Sequence, residues 1–482
     1  MKRRTLLFSS LSALGQKKYT DPAPPKVTAP NAARATAQPN ADAVKHKKPA
    51  ALPKGAVTED WPSFLGPQHN GVSRETRLSK KFPASGPPLV WEMAKGTGYA
   101  SPAIAGDKLV FLHRRGNQEL VECLHPETGE RYWKHNYQTS FEDRYGYNNG
   151  PRSSPVIDGE RVYVVGAEGV LYCLHLPSGQ VLWRRQLRDE FNVPQDFFGV
   201  ASTPLVEGDL LIVNVGAPGG PCVIGLDKLT GQMRWGAGHE WGGSYASPIP
   251  AVVHGKRRVF VFAGGESQPP TGGLIMLDPA TGAVDFTYPW RSKSYESVNA
   301  SCPVIMGNYV FVSASYKTGG TMLEITPDFK HKVLWTTPEF GLHFNTPIHK
   351  DGYLYGFDGR NEPDASLACV AVKTGKVAWR TSLEWKETFQ AGGQQREQMM
   401  SLYRGNLLQV DGRFLVLGEL GHLMWMDLNP GGFKEGSRAW LFAARETWSL
   451  PVLSRGLLYV VQHSKDVLQN KQPRLLCYDL RE

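Results

Sequence analysis

The residues of this chain whose types could do chemistry stand in loops, each leading into a short strand that opens on Ser-Pro, Thr-Pro, Cys-Pro or a variant of that pair. Tyr99, Asn149, Arg152, Glu240, Trp241, Tyr245, Glu296, Asn299, His343, Asn345, Glu397, Glu446 and Trp448 lie in these loops. Aromatic faces beside amides, carboxylates, an arginine and a histidine make up a binding pocket with a few orienting polar groups. No spacing among them declares a reaction. The chain has no Gly-x-Ser-x-Gly, no His-Glu-x-x-His and no EF-hand loop. His422, Met424 and Met426 alternate along one strand and are copper-donor types, but packing is the preferred reading of that face. Asp358, Glu362 and Asp364 share a loop with Gly359 and Pro363 and read as a solvated turn rather than a cation site.

The elements that must carry these loops form a repeat. An aromatic residue recurs in the same local setting at Trp91, Trp133, Trp183, Trp235, Phe286, Trp335, Trp379 and Trp440, at intervals of 42 to 61 residues. The copy at 154–183 reads Ser154-Pro155, a strand, Asp158-Gly159, a strand ending at Gly166, a strand to His175, then Ser178-Gly179 and the strand of Trp183. Each copy therefore holds four strand-sized pieces separated by turn residues, the punctuation of antiparallel hairpins. Units of this length predict an all-β, eight-bladed β-propeller of four-stranded antiparallel blades. The strand around Trp91 has no blade before it, and the last unit stops at Asp479-Leu480 with no aromatic strand after it. The first strand is thus expected to complete the last blade and close the ring. The tryptophans are expected between neighbouring blades, each burying the roughly 150–250 Å² typical of a large aromatic. Loops that enter the first strand of successive blades meet at one end of the ring, so the candidate residues converge on the mouth of a central channel.

Charge excludes one class of partner. The 482 residues carry a formal charge of +9, yet residues 1–58 hold 11 of the 54 Lys/Arg and only 2 of the 45 Asp/Glu, which leaves the rest neutral. A nucleic-acid reader carries its basic face on the folded part, so no nucleic-acid partner is expected. Met1-Lys2-Arg3-Arg4 followed by the apolar run Leu6–Leu14 reads as a signal peptide over residues 1–15, Sec-type or twin-arginine. That reading implies an exported protein of the periplasm or cell envelope. With no cysteine before Cys123, a lipoprotein anchor is not expected, and no transmembrane span is expected either. Residues 16–58, rich in Ala, Pro and Lys, read as a disordered or extended linker, and residues 59–482 as a single propeller. Cys123, Cys173, Cys369 and Cys477 fall at the same site of different repeats, too far apart for a disulfide, and read as small core hydrophobes. The pairing of Cys222 and Cys302 stays open.

The phrases Ser178-Gly179-Gln180-Val181-Leu182-Trp183, Lys373-Thr374-Gly375-Lys376-Val377-Ala378-Trp379 and Thr230-Gly231-Gln232-Met233-Arg234-Trp235 resemble the repeat of the pyrroloquinoline-quinone (PQQ) propeller superfamily. The leader Trp61-Pro62-Ser63-Phe64-Leu65-Gly66-Pro67 resembles exported members of it. The resemblance covers nearly everything from Trp61 onward and implies the propeller fold. It implies two functions of different kinds. One is a binding or scaffold module, like the propeller component of the outer-membrane assembly machinery, with a protein, peptide, glycan or small molecule at the rim of a monomer. The other is a quinone-dependent alcohol or sugar dehydrogenase. In that case PQQ with Ca²⁺ is the cofactor, one of Glu240, Glu296, Glu397 and Glu446 is the base, and the others hold calcium with Asn149 or Asn299. The vicinal cysteines of methanol dehydrogenase-like enzymes are absent. The binding module is therefore the preferred expectation, and no catalytic residue is assigned.

Overall fold

A computed structural model describes residues 18–361 and 364–482; the expected signal peptide and Glu362 lie outside the described residues. Eight antiparallel sheets follow one another in chain order. Blades one to six each have four strands. Blade one, for example, runs Ala103–Ala105, Lys108–Arg115, Gln118–Leu124 and Arg131–Gln138 from the inside outwards. Blade seven comprises Asn406–Val410, Arg413–Leu417, His422–Asn429 and Gly432–Trp440. In blade eight, Val452–Ser454, Leu457–Gln462 and Arg474–Asp479 are joined by Leu89–Ala94, with Trp91 opposite Cys477. The strand of Trp91 therefore shares a sheet with the last three strands of the chain.

The repeated residues make repeated joints. The indole N–H of Trp91, Trp133, Trp183, Trp235, Trp335 and Trp379 each donates to a carbonyl in the next blade, at Pro126, Leu176, Lys228, Pro279, Val372 and Asn429 respectively, over 2.7–3.2 Å. For all of these but Trp379, the ring of the indole lies on the glycine of the next blade's turn. A Cβ on Gly179 would stand 2.7 Å from the Trp133 ring, and one on Gly231 2.7 Å from Trp183. Both glycines also have φ near +75° and +71°, so the Thr/Ser-Gly of one blade is the seat for the tryptophan of the blade before it. A second joint circles the channel. The backbone N–H of Ser101, Ser154, Thr203, Ser247 and Cys302 donates in turn to Ser154 Oγ, Thr203 Oγ1, Ser247 Oγ, Cys302 Sγ and Thr346 Oγ1. The hydroxyl or thiol of the residue before each of these prolines is thus a link to the preceding blade. All six cysteines are free and buried, and Met424 and Met426 lie in the blade-seven core.

Residues 18–58 are extended rather than disordered, and they are not a loose linker. They run as a strap along the outer strands of blades three, two, one and eight. Tyr19 Oη donates to Gly238 O, Thr28 N to Leu182 O and Ala35 N to Pro177 O, and Ala43–Lys45 adds a fifth strand to blade eight. Asp21 pairs with Arg185 at 2.6 Å, and that guanidinium is fully buried. Composition could not foresee this, because the partners are the backbone edges of distant blades. The leader that follows enters the channel. Trp61 exchanges two backbone hydrogen bonds with Ile104 of blade one, and Pro62 O accepts from Ile157 N of blade two. Val72–Ser73 pairs parallel to the first strand of blade seven, and Glu75 accepts from Gly456 N of blade eight at 2.8 Å. With Trp61 fully buried and Leu65 5% exposed, this segment is a plug that fills the lower channel.

Candidate functional site

At the opposite end, the loops between blades and the loops joining the second and third strands of each blade meet over the channel. Tyr99 stacks on Trp448 (5.3 Å, 29°) and donates to Glu446 Oε2 at 2.5 Å. Trp448 touches Phe344 at 5.3 Å and Tyr147 at 5.9 Å; Tyr147 reaches Phe198 at 6.2 Å, and Phe198 packs on Tyr245 at 5.5 Å. Tyr145 and Tyr295 both pack on Phe197, at 5.7 and 5.5 Å. One aromatic layer therefore roofs the mouth, with ring separations of favourable pairs throughout.

Arginines lie on this layer. The Arg152 guanidinium is 5.3 Å from the Tyr99 ring and 5.2 Å from Phe198, and pairs with Asp143 at 2.6 Å. Arg404 stands 4.8 Å from the Trp448 ring and pairs with Glu419 at 2.5 Å, while Arg144 lies over Phe197 and pairs with Glu266. Stacked, charge-paired guanidinium groups are held in place, which lowers the entropy cost of using them in recognition. Burial raises the pKa of the Tyr99 hydroxyl, with Glu446 adding to it, and burial likewise raises Glu446. Burial, then the Glu266 charge, pushes Asp196 up to about 7 against the opposing pull of Arg291 and Arg144. Burial, with Arg404 and Arg360 nearby, takes His343 down to about 3, so its ring is neutral.

The sequence-predicted residues divide. Tyr99, Arg152, Tyr245, Glu446, Trp448 and His343 join the layer; His343 touches Tyr316 and Phe344 at 5.6 and 5.5 Å. The asparagines hold backbone instead: Asn149 Oδ1 accepts from Asp143 N at 2.9 Å, Asn299 Nδ2 donates to Ala263 O at 2.8 Å, and Asn345 Nδ2 donates to Gly405 O. Trp241 is buried in the wall between blades three and four. Glu240 and Glu296 are exposed at the rim. Glu397 stands apart, paired with Lys386 on an exposed hairpin, Trp385–Ala391 and Gln394–Met400, that the repeat does not contain. His422 is sandwiched between Trp440 and Trp385, and Asp358 pairs with Arg380. Sequence reasoning missed Glu266, Tyr316, Arg360, Glu419 and His463, all in or beside loops between second and third strands. The signal was available: in an antiparallel blade those loops share an end of the ring with the connections between blades.

Below the roof little room is left. The cavity between plug and roof, lined by Phe64, Leu65, Phe344, Trp448 and their neighbours, measures about 30 Å³, enough for one water. Among the described residues no group of three or more His, Cys, Asp or Glu is placed to hold a metal ion. A cavity of that size does not fit a flat quinone. An open groove of about 570 Å³ lies beside the mouth, between Lys95–Thr97 and Arg114–Gly116. Lys95, at its edge, is turned inward onto Gly96 O and Gly98 O, and burial lowers it to about 7.

Comparison with known proteins decides the family. The family model described as outer membrane protein assembly factor BamB matches residues 117–381, more than half of the chain. The chain belongs to that family. A curated relative, the BamB of Yersinia pestis, is 22% identical over 160 residues, a match that takes in 31% of this chain and 36% of the relative. The matched stretch thus spans about a third of that protein's length. The crystal structure of BamB from Moraxella catarrhalis superposes with a TM-score of 0.52 at 15% identity, over 81% of this chain and 97% of that one. The quinohemoprotein alcohol dehydrogenase of Comamonas testosteroni gives 0.58 at 12% identity, over 87% and 80% of the two chains. A europium-containing methanol dehydrogenase gives 0.58 at 10% identity, over 87% and 98%. At such identities these structures share the fold, and the chain is a PQQ-like propeller of the BamB family. No helix among the described residues is long and apolar enough to cross a membrane.

Proposed function

We propose that this protein is a binding or scaffold propeller of the bacterial envelope, holding a partner protein on the loop-rich mouth of its channel. One observation carries the reading: the mouth is a continuous layer of aromatic and arginine side chains with three tyrosines left outward, Tyr145, Tyr147 and Tyr295 at 48%, 51% and 42% exposure. Tyrosine, tryptophan and arginine are the residues that concentrate energy in protein interfaces. The cavity of about 30 Å³ beneath the roof is too small for a small-molecule ligand, which favours a protein surface laid on the roof itself. Membership of a family named for outer-membrane protein assembly supports both a protein partner and an envelope location.

Photo-crosslinking tests this. A benzoylphenylalanine placed at Tyr147 in the producing bacterium is expected to trap a discrete partner, and one placed at Val333, exposed on the outer edge of blade five, is expected to trap none. Equal labelling from both positions would overturn the proposal. Titration with PQQ and Ca²⁺, followed by dye reduction with alcohols and sugars, tests the dehydrogenase alternative; stoichiometric binding with turnover would replace the scaffold reading.

A further inference from the structure

Among the described residues the buried lysine and arginine side chains are Lys95, Arg114, Arg185, Arg258, Arg474 and Arg481. Most are ion-paired: Arg185 with Asp21 and Glu190, Arg258 with Asp278 and Asp285, Arg474 with Glu92, and Arg481 with Glu127. Lys95 and Arg114 are the exceptions. Lys95 Nζ donates to the carbonyls of Gly96 and Gly98, and Arg114 to those of Gly116, Phe141 and Asn149, but neither has a carboxylate at ion-pair distance among the described residues. A buried charge is costly unless an opposite charge compensates it. Both of these uncompensated cations line the same groove, the open one beside the mouth.

That groove measures about 570 Å³, within the roughly 300–1,000 Å³ of small-molecule sites. Its charged lining is Lys95, Arg114 and Arg115 against a single carboxylate, Asp42 of the strap, which Arg115 and Arg131 already share at 2.9 and 2.8 Å. Its frame is fixed, because Thr97 and Arg114 exchange two backbone hydrogen bonds of 2.8 Å. Donors are left over within it. Arg114 Nη2 has no hydrogen-bond partner among the described residues, nor has Asn149 Nδ2, whose amide oxygen is taken by Asp143 N. We infer that this groove binds a small dianion, a phosphate ester or a dicarboxylate, which supplies the negative charge that Lys95 and Arg114 lack. Three cations against one carboxylate leave two positive charges, and this sets the charge of the ligand.

Binding is coupled to a proton. Lys95 is faced by His113 of blade one, which rests on Glu122, and by His463 of blade eight; burial holds both histidines below their usual range. Arg114, Arg115 and Asp42 are the other charged groups of the groove. Burial lowers Lys95 to about 7, so above that pH its amine is largely neutral while the groove is free. A dianion favours the ammonium form, and affinity therefore rises as pH falls through 7.

Calorimetric titration of the full protein at low ionic strength tests this with sulfate, which stays dianionic across the pH range and stands in for a phosphate ester, with malonate, and with acetate as the single-charge control. Saturable binding of sulfate or malonate is expected, at least tenfold tighter than acetate, and the tighter of the two names the ligand class. Lys95→Met is expected to weaken sulfate about tenfold or more and to remove the rise in affinity between pH 8.5 and pH 6, while melting no lower than wild type without anion. Asp42→Asn removes the opposing carboxylate and is expected to tighten sulfate several-fold, which keeps the test alive should Lys95→Met fail to fold. Lys293→Met, at an exposed position between blades four and five, is expected to change nothing. No saturable binding below about 10 mM, acetate binding as tightly as the dianions, wild-type affinity in Lys95→Met, or an equal loss in Lys293→Met would overturn the assignment.

Discussion

The two ends of this ring are built on opposite rules. At the lower end one joint is made again and again: an indole N–H on the next blade's carbonyl, and the same indole on that blade's positive-φ glycine. At the upper end no two loops are alike, and their side chains contact one another across blades, as Tyr147 does in touching residues before blade three and before blade eight. Repetition marks what every blade must do to pack. Divergence confined to one face marks what the whole molecule does once packed.

Breaking the lower joint is expected to have the largest effect. Trp183→Ala removes a side chain 1% exposed and is expected to cost about 3–5 kcal/mol in denaturant unfolding, while partner capture well below the melting temperature is retained. A loss of capture without loss of stability would reverse the assignment of the two ends. Gly179→Ala is next. A Cβ 2.7 Å from the Trp133 ring at φ +75° is expected to cost roughly 1–3 kcal/mol, and stability at wild-type level would mean that the glycine seat is not what the repeat encodes.

Asp196 sharpens the comparison through pH. Its folded pKa of about 7 lies above the 3.8 of an ordinary aspartate. The folded state therefore holds a proton that the unfolded state has lost, and stability falls as pH rises between those values. The groups facing it are Glu266, which opposes its charge, and Arg291 and Arg144, which favour it. Asp196→Asn is expected to raise the melting temperature at pH 8 and to leave it nearly unchanged at pH 4. A shift of equal size at both would show that desolvation of the carboxylate is not the cause. The smallest effect on stability is expected at the upper face itself: Tyr147→Ala, at an exposed position, should change unfolding free energy by no more than about 0.5 kcal/mol and still reduce partner capture.

What was legible in the sequence follows the same division. Trp183 and Ser178-Gly179 recur because each blade presents the same seat, so the fold could be read from their spacing. The site was legible only where its residues follow an aromatic strand, as Tyr99, Arg152 and Trp448 do. Glu266, Tyr316 and Glu419 sit on the other set of upper loops and carry no repeated neighbour to flag them. Glu397 reads as part of the site because no Ser-Pro or Thr-Pro pair marks the start of blade seven, where a hairpin replaces the loop. The strap was illegible for a physical reason: Ala35 and Thr28 gain their order from main-chain atoms of blade two, and composition does not report a backbone partner more than a hundred residues away.

The plug has a consequence for the time axis. Glu75 is satisfied by the amide of Gly456 and Trp91 by the strand of Cys477, so the residues synthesised early are among the last to find their partners. Contacts this far apart in sequence slow folding, and until blade eight exists the channel segment and the first strand have only some of their neighbours. A cell making this protein must keep the plug and the Trp91 strand harmless for as long as blade eight takes to emerge.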